Sequence, residues 1–306
     1  MEGKTMSLTK KIDFALVFTV KKANPNGDPL NGNRPRIDYE GLGEVSDVCL
    51  KRKLRNRLQD MGEDIFVQSD ANRKEGDIFR SLKERFDANK EIQTIVKKAA
   101  EEKKKTKKKP SISDEVAKIA CKTWYDVRAF GQVFAFDNGE DSDSVSIGVR
   151  GPVSIQSAIS QVPVDIYSEQ ITKSVNLETN EKDQDKKGSD TMGMKHRVEY
   201  GVYVTYGSIN CQLAEKTGFS DEDADKLLTA LKSLFVNDES SARPSGSMKV
   251  ENVVWWKHNC KNGQYASADV HDSIKIQVNE DSKKPVVAIK TVLDGFEPAI
   301  YAGENK

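Results

Sequence analysis

Ile12-Asp13-Phe14-Ala15-Leu16-Val17-Phe18-Thr19-Val20-Lys21-Lys22, then Asn24-Pro25-Asn26-Gly27-Asp28-Pro29 and Gly32-Asn33-Arg34-Pro35-Arg36, decide how this chain begins to fold. Ile12, Phe14, Leu16, Phe18 and Val20 recur with a period of two, which predicts a strand over 12–22. Asn-Gly and Pro signals then force tight turns, and glycine lets a ligand's backbone come close. Downstream, Ser46 or Asp47 can cap a helix. Leu50, Leu54, Leu58 and Met61 form its apolar stripe, leaving Lys51, Arg52 and Arg55 to one side, available to solvent or ligand. A strand, a Gly/Arg loop and a basic helix together suit a phosphate backbone.

Outward from this stretch, residues 62–122 read as an insertion. Ile78, Leu82 and Phe86, then Ile92, Ile95 and Val96, are helically spaced; a lysine run ends at Pro110, and Ser113 opens a helix with Val116, Ile119 and Ala120. Gly131 to Phe136 and Val145 to Val149 read as a strand pair. Residues 165–197 carry no core pattern, and Thr172 to Asp190 is expected to project. A strand over 198–211 and a helix opened by the capping box Ser220-Asp221-Glu222-Asp223 follow. The loop Ser240 to Ser247 is expected to be flexible and polar, and Val250 to Trp256 to be a strand with one tryptophan in the core and the other facing a partner or helix. This order matches an α+β sandwich of the RRM-like (ferredoxin-like) kind as one option among a few.

The 306 residues suffice for one large domain or two small ones, and 37% hydrophobic against 31% charged residues implies a modest core. No apolar run approaches a bilayer span, and the N-terminus lacks a signal-peptide core, so a cytoplasmic protein without membrane contact is expected. Lys+Arg and Asp+Glu both number 48. That balance argues against a non-specific polyanion binder. The charges are segregated, however: Lys97 to Lys109 holds eight lysines against two glutamates, while Asp137 to Asp143 and Glu178 to Asp190 are mainly acidic. Cys49, Cys121, Cys211 and Cys260 form no CxxC pair, and His258 with Cys260 finds no further ligands, so neither metal nor cofactor is expected.

Several blocks occur together: the loop and helix just quoted, Tyr125-Asp126-Val127-Arg128-Ala129-Phe130-Gly131, Val149-Arg150-Gly151-Pro152-Val153, Thr191-Met192-Gly193-Met194-Lys195-His196, and Leu213 to Asp223. In this order, over residues 12 to about 260, the chain resembles the backbone subunit of type I CRISPR surveillance complexes (Cascade), subtype I-C. The resemblance implies an RRM-like palm (7–61, 122–164 and 198–300), a helical finger insertion (62–121) and a protruding thumb hairpin (165–197). It implies a non-catalytic subunit that polymerises head to tail with copies of itself along crRNA, beside other Cascade subunits. It presents the guide to target DNA for heteroduplex pairing, and a recruited helicase-nuclease does the cutting. The rival is an RNA endonuclease of the type III backbone kind, with Asp185 or Asp190 as the thumb acid.

The expected RNA-binding residues are Arg34, Arg36, Ser46, Lys51, Arg52, Arg55, Arg128, Arg150, Met192, Lys195, His196 and Arg243, each with a blander reading beside it. Arg34 and Arg36 are either phosphate forks or loop arginines bonded to local carbonyls. Lys51, Arg52 and Arg55 are guide contacts in the family and otherwise a solvated helix face. Arg128 and Arg150 match positions beside the RNA path, or are core arginines paired with Asp126 or another acid. Met192 and Met194 wedge between bases, as the resemblance implies, or pack on a neighbouring subunit. His196 is expected to hydrogen-bond rather than catalyse. Arg243 belongs to a loop that can donate to phosphates or merely connect helix to strand. For the lysines 103–109, contact with target DNA stands against a solvated helix.

Overall fold

The computed structural model describes residues 7–73, 76–106, 112–136, 145–172, 192–279 and 283–305. In chain order its elements are β1 (Ile12–Ala23), β2 (Gly27–Asp28), β3 (Arg34–Pro35), β4 (Leu42–Val45) and α1 (Asp47–Asp60). Then come α2 (Leu82–Asp87), α3 (Lys90–Thr106), α4 (Ser113–Thr123), α5 (Tyr125–Phe130), β5 (Gly131–Phe136), β6 (Val145–Arg150), β7 (Val153–Ile155), β8 (Ala158–Pro163) and β9 (Ile166–Thr172). The rest is β10 (Met192–Ile209), α6 (Cys211–Thr217), α7 (Asp221–Lys232), β11 (Met248–Lys257), α8 (Ser267–Asp272), β12 (Ile274–Val278), β13 (Pro285–Ile289) and β14 (Ala299–Ala302).

The architecture is mixed α+β around an antiparallel sheet ordered β14-β11-β1-β10-β8-β4, with β7 and β9 also paired to β10. β1 is its spine, running antiparallel to β10 from Ile12↔Ile209 to Ala23↔Val198 and to β11 from Ile12↔Lys257 to Val20↔Met248. Its alternating residues Ile12, Phe14, Leu16, Phe18 and Val20 enter a core shared with Leu50, Leu54 and Leu58 of α1, Ala214 of α6 and Leu227 and Leu231 of α7. Phe14 stacks on Trp255 at 5.7 Å and Phe18 on Tyr203 at 5.4 Å. Each such phenylalanine contributes on the order of 1.5–3 kcal/mol through burial.

The opposite face of the sheet is covered too. Ala15, Val17, Val202, Val204, Val254 and Trp256 pack against Val270 of α8, Ile274 and Ile276 of β12, and Phe296. Both tryptophans are therefore core residues, on opposite faces, and of the two surroundings expected for the second, a partner or a helix, this chain itself supplies the helix. The layer over Trp256 comes from beyond residue 264, and nothing local in β11 announces it.

Lys22, with φ 52°, breaks the alternation of β1. Before it, even-numbered residues enter the helix-side core; after it, Ala23 does. β10 changes in step: Tyr203 and Ile209 face the helix side, yet so does Val198. The side chains at 192, 194 and 196 share the parity of Val198, so they continue the helix-bearing face.

A third core joins Phe66, Phe86, Ile92, Val116, Ala120, Trp124, Val127, Phe134 and Ile147. The strand pair read in the sequence is β5–β6, but it forms its own two-stranded sheet and packs on these helices, apart from the main sheet. Among the described residues no helix is long and apolar enough to cross a membrane.

One polar group is sealed into the second face. Asp13 is fully buried, and its Oδ2 accepts from His258 Nε2 at 2.8 Å and pairs with Lys11 Nζ at 3.1 Å. His258 Nδ1 accepts the Gln264 N–H at 2.8 Å, so its proton sits on Nε2. Burial alone would raise the Asp13 pKa, but the bonds from His258 and Ser267 and the Lys11 charge hold it below its ordinary value. The neighbouring His271 is pushed below 6.5, first by burial; Asp13 and the Gly207 carbonyl pull it back up only in part, and Lys11 opposes them. A histidine with a depressed folded-state pKa contributes stability that is full above its unfolded value and erodes as pH falls through the folded one. Urea unfolding should therefore show stability declining below pH 6.5, and His271→Gln should flatten that decline; an equally steep slope in the variant would show that other groups carry it.

Candidate nucleic-acid interface

Asn26 organises the loop between β1 and α1. Its side-chain Oδ1 accepts from both the backbone N–H (3.0 Å) and the hydroxyl (2.9 Å) of Ser46, the residue that caps α1. Its carbonyl accepts from the backbone N–H of Arg36 at 3.1 Å. Gly27 and Asp28 pair with Pro35 and Arg34, folding the loop into a short hairpin closed by left-handed Gly32 and Asn33. Arg36 reaches Asp28 at 3.4 Å. The turn residues thus bring Arg34 and Arg36 beside the first turns of α1, as the loop chemistry suggested.

The paired strands β9 and β10 supply the second wall. β9 and β10 pair from Ile166↔Val198 to Thr172↔Met192. Opposed residues in an antiparallel pair share a face, so Met192, Met194 and His196 stand on one side with Gln170 and Ser168. Lys195 and Arg197 stand on the other with Glu169, Tyr167 and Ile171. Arg34 Nη1 donates to Ser168 Oγ at 3.1 Å and lies 3.5 Å from His196 Nδ1, which also meets Ser168 Oγ at 2.8 Å. The basic loop is therefore tied to the face that exposes Met192 and Met194, 66% and 57% accessible. Lys195 lies on the reverse face of the hairpin. Residues 173–191, and with them Asp185 and Asp190, lie outside the described residues, as do the lysines at 107–109.

The remaining sequence candidates divide. Lys51 pairs with Asp47 at 3.0 Å on α1 and stays partly exposed, and Arg52 beside it is half-buried with its Nε unpartnered. Arg150 is exposed at the end of β6, without a partner among the described residues. Arg55 is not available in the way its helix position suggested. It bonds the buried Asp126 at 3.0 Å and lies over the Phe130 ring, because Asp126, which also accepts from the Phe66 and Val67 N–H groups, needs a countercharge. Arg128 forks onto Asp223 at 3.0 and 2.8 Å and approaches Glu63 at 3.6 Å; its structural partner is Asp223 rather than Asp126. The blocks that contain Arg128 and Arg150 meet through glycines: a Cβ on Gly151 would lie 2.3 Å from the Ala129 carbonyl oxygen, so these two motifs pack backbone on backbone.

The Ser240–Ser247 loop is held rather than free. Ala242 O accepts from Asn24 N–H at 2.9 Å, and Ser247 O from Lys21 N–H at 2.7 Å, which seats Arg243 next to the Gly/Arg loop. Arg243 Nε donates to Asp238 Oδ2 at 3.0 Å, and the same carboxylate is bonded by Lys53. Lys53, almost completely buried, escaped the sequence reading although it sits beside Leu50 and Leu54 in the apolar stripe, which was the available signal. Burial pushes its pKa down and Asp238 pulls it back up. Among the described residues no cluster of His, Cys, Asp and Glu could hold a metal ion.

A family model described as CRISPR-associated protein Cas7 matches residues 10–293. The chain belongs to the Cas7 family. A curated Cas7 relative, "CRISPR-associated protein Cas7" of Haloferax volcanii, is 25% identical over 301 residues, covering 94% of this Cas7-family chain and 81% of its own length. Among solved structures, a chain of a "CRISPR RNA-guided surveillance complex, pre-nicking" is 18% identical at a TM-score of 0.47, covering 80% of this chain and 78% of that one. A chain of a "CRISPR RNA-guided surveillance complex" is 14% identical at a TM-score of 0.39, covering 80% and 68%.

The split between tethered and free arginines makes a distinction that unfolding experiments resolve. Arg128→Ala strands the buried Asp223 and should cost about 2–3 kcal/mol in urea unfolding. Arg34→Ala, at the partly exposed hairpin contact, should leave the midpoint essentially where it was. Equal losses in the two variants would contradict the assignment of Arg128 to the scaffold.

Proposed function

We propose that this chain is the non-catalytic crRNA-binding subunit that lines the guide in a type I-C CRISPR surveillance complex. Cas7 family membership supports the complex. The tie from Arg34 to Ser168 and His196, which makes the basic loop and the methionine face one continuous surface, supports the guide. On this reading 7–61, 122–164 and 198–300 make an RRM-like palm, 62–121 a helical finger and 165–197 a thumb, with the finger's core reaching past 121 through Trp124 and Phe134.

Arg34, Arg36, Lys51 and Arg52 then hold phosphates, with Arg243 alongside. Such contacts set register and affinity without reading bases, which suits a protein that must accept any guide. Met192 and Met194 lie where a strand of RNA passing the loop would meet an apolar wedge, and an unstacked base is the expected product. Copies assemble head to tail along the guide, which pairs with target DNA, while other subunits and a recruited helicase-nuclease complete the complex.

Filter binding of a single-stranded repeat–spacer RNA against salt tests the reading. Replacing Arg34 and Arg36 together by alanine should shrink the slope of log K against log salt by roughly 1.4, about 0.7 for each phosphate of a single strand that the protein no longer neutralises. Intact RNA should be recovered after incubation with magnesium. An unchanged slope removes the loop from the interface, and RNA cut at regular intervals would make the chain an endonuclease instead.

A further inference from the structure

Among the strands that have one edge without a partner in the described residues, β14 at the border of the main sheet and β9 stand out by what they expose. β14 pairs only with β11, and all four of its residues, Ala299-Ile300-Tyr301-Ala302, are exposed. β9 pairs only with β10, and exposes Tyr167 and Ile171. Natural sheets blunt such edges with lysines, prolines or bulges placed in the strand. β14 is short but carries none of these, so its outer edge is open to pairing.

The surroundings of β14 select what would cover it. Ile300 shares its face of the sheet with Val254 and Trp256, beside an apolar groove of about 360 Å³ lined by Ile289, Val292, Leu293 and Phe296. The indole N–H of Trp256 in that lining has no hydrogen-bond partner. Glu297, on the rim, has no cation partner among the described residues. The reverse face of the hairpin offers the complement: Tyr167 and Ile171 beside Lys195, which has no described anion partner.

We propose that β9 of one copy lies along β14 of the next, seating Tyr167 and Ile171 in the groove beside Ile300 and setting Lys195 against Glu297. The occupant is a second copy because one chain carries both halves of the contact on different borders of the molecule, so each junction leaves the next one open. Side-chain parity supports the pairing. Ile300 and Ile171 both lie on the side of the sheet away from α1 and α7, so the methionine faces of successive copies fall on one side. The assignment rests on the guide-subunit reading for its purpose, but the contact itself is a property of the chain.

Mixing experiments separate the two. Wild type, Ile171→Glu and Ile300→Glu are each titrated onto a short RNA that holds one copy and a long RNA that holds several, and occupancy is counted by mass photometry with RNA in excess. Each variant should bind the short RNA as wild type does. Wild type should fill the long RNA in runs, and each variant alone should scatter at random. Equal amounts of the two variants should give adjacent pairs but no longer runs, since one intact junction remains per pair. Lys195→Glu combined with Glu297→Lys in one chain should recover runs that either reversal alone loses, a result that a folding defect would not give. Runs formed by both single variants, or a mixture without pairs, would overturn the contact. If wild type fails on the short RNA, the guide reading falls, and sedimentation of the same mixture without RNA still decides the junction.

Discussion

A strand hydrogen-bonded along both edges and covered on both faces has no solvent side on which to place a polar residue, and β1 is that strand. The two layers that cover the main sheet and the loop that carries the basic residues are all positioned from it. α1, α6 and α7 lie on one of its faces and the α8–β12–β13 layer on the other. The Gly/Arg loop leaves one end of it, and β10 runs on past that same end as the hairpin. Asp13 is the exception that the constraint makes unfavourable: a carboxylate at the centre of a sheet persists only because His258 and Lys11 bond it there.

The basic side chains of the site fall into two groups. Arg55, Arg128 and Lys53 are neutralised by Asp126, Asp223 and Asp238, and tie α1, α5 and α7 with its following loop to one another. Arg34 bonds the neutral Ser168, Arg36 reaches the half-buried Asp28 at 3.4 Å, and the Nε of Arg52 has no partner, so no buried acid neutralises them. A chain with no net charge can thus present a locally cationic surface, because these acids are engaged inside the scaffold and the arginines that no buried acid neutralises gather near one end of β1.

Local chemistry was legible in the sequence: the alternation of β1, the cap at Ser46, the leucine stripe of α1 and the turns at Asn26 and Gly27 each act over a few residues, and each appears where the sequence placed it. What the sequence withheld is set by pairing at long range. Arg128 and Arg34 look alike in sequence, and only the approach of Asp223, ninety-five positions on, separates them. Trp256 is buried because a layer from the last forty residues returns to cover its face of β11, while Trp255 lies on the other face under the helices. β5 and β6 read as good strands, but nothing local says which sheet a strand will join.

Lys22 has a consequence for how such a chain can change. Its left-handed φ acts as a phase shift in the alternation, carried across the ladder to Val198 and so to the hairpin. Insertion of a single residue into β10 between Met194 and Val198, matched by one in β9, would invert the faces beyond it. The methionines would turn to the outer surface and Ile171 to the inner one, with every side chain still present and every hydrogen bond of the sheet still made. Between Val198 and Met194 the paired strands can therefore lengthen or shorten only in steps of two residues each without exchanging their two faces.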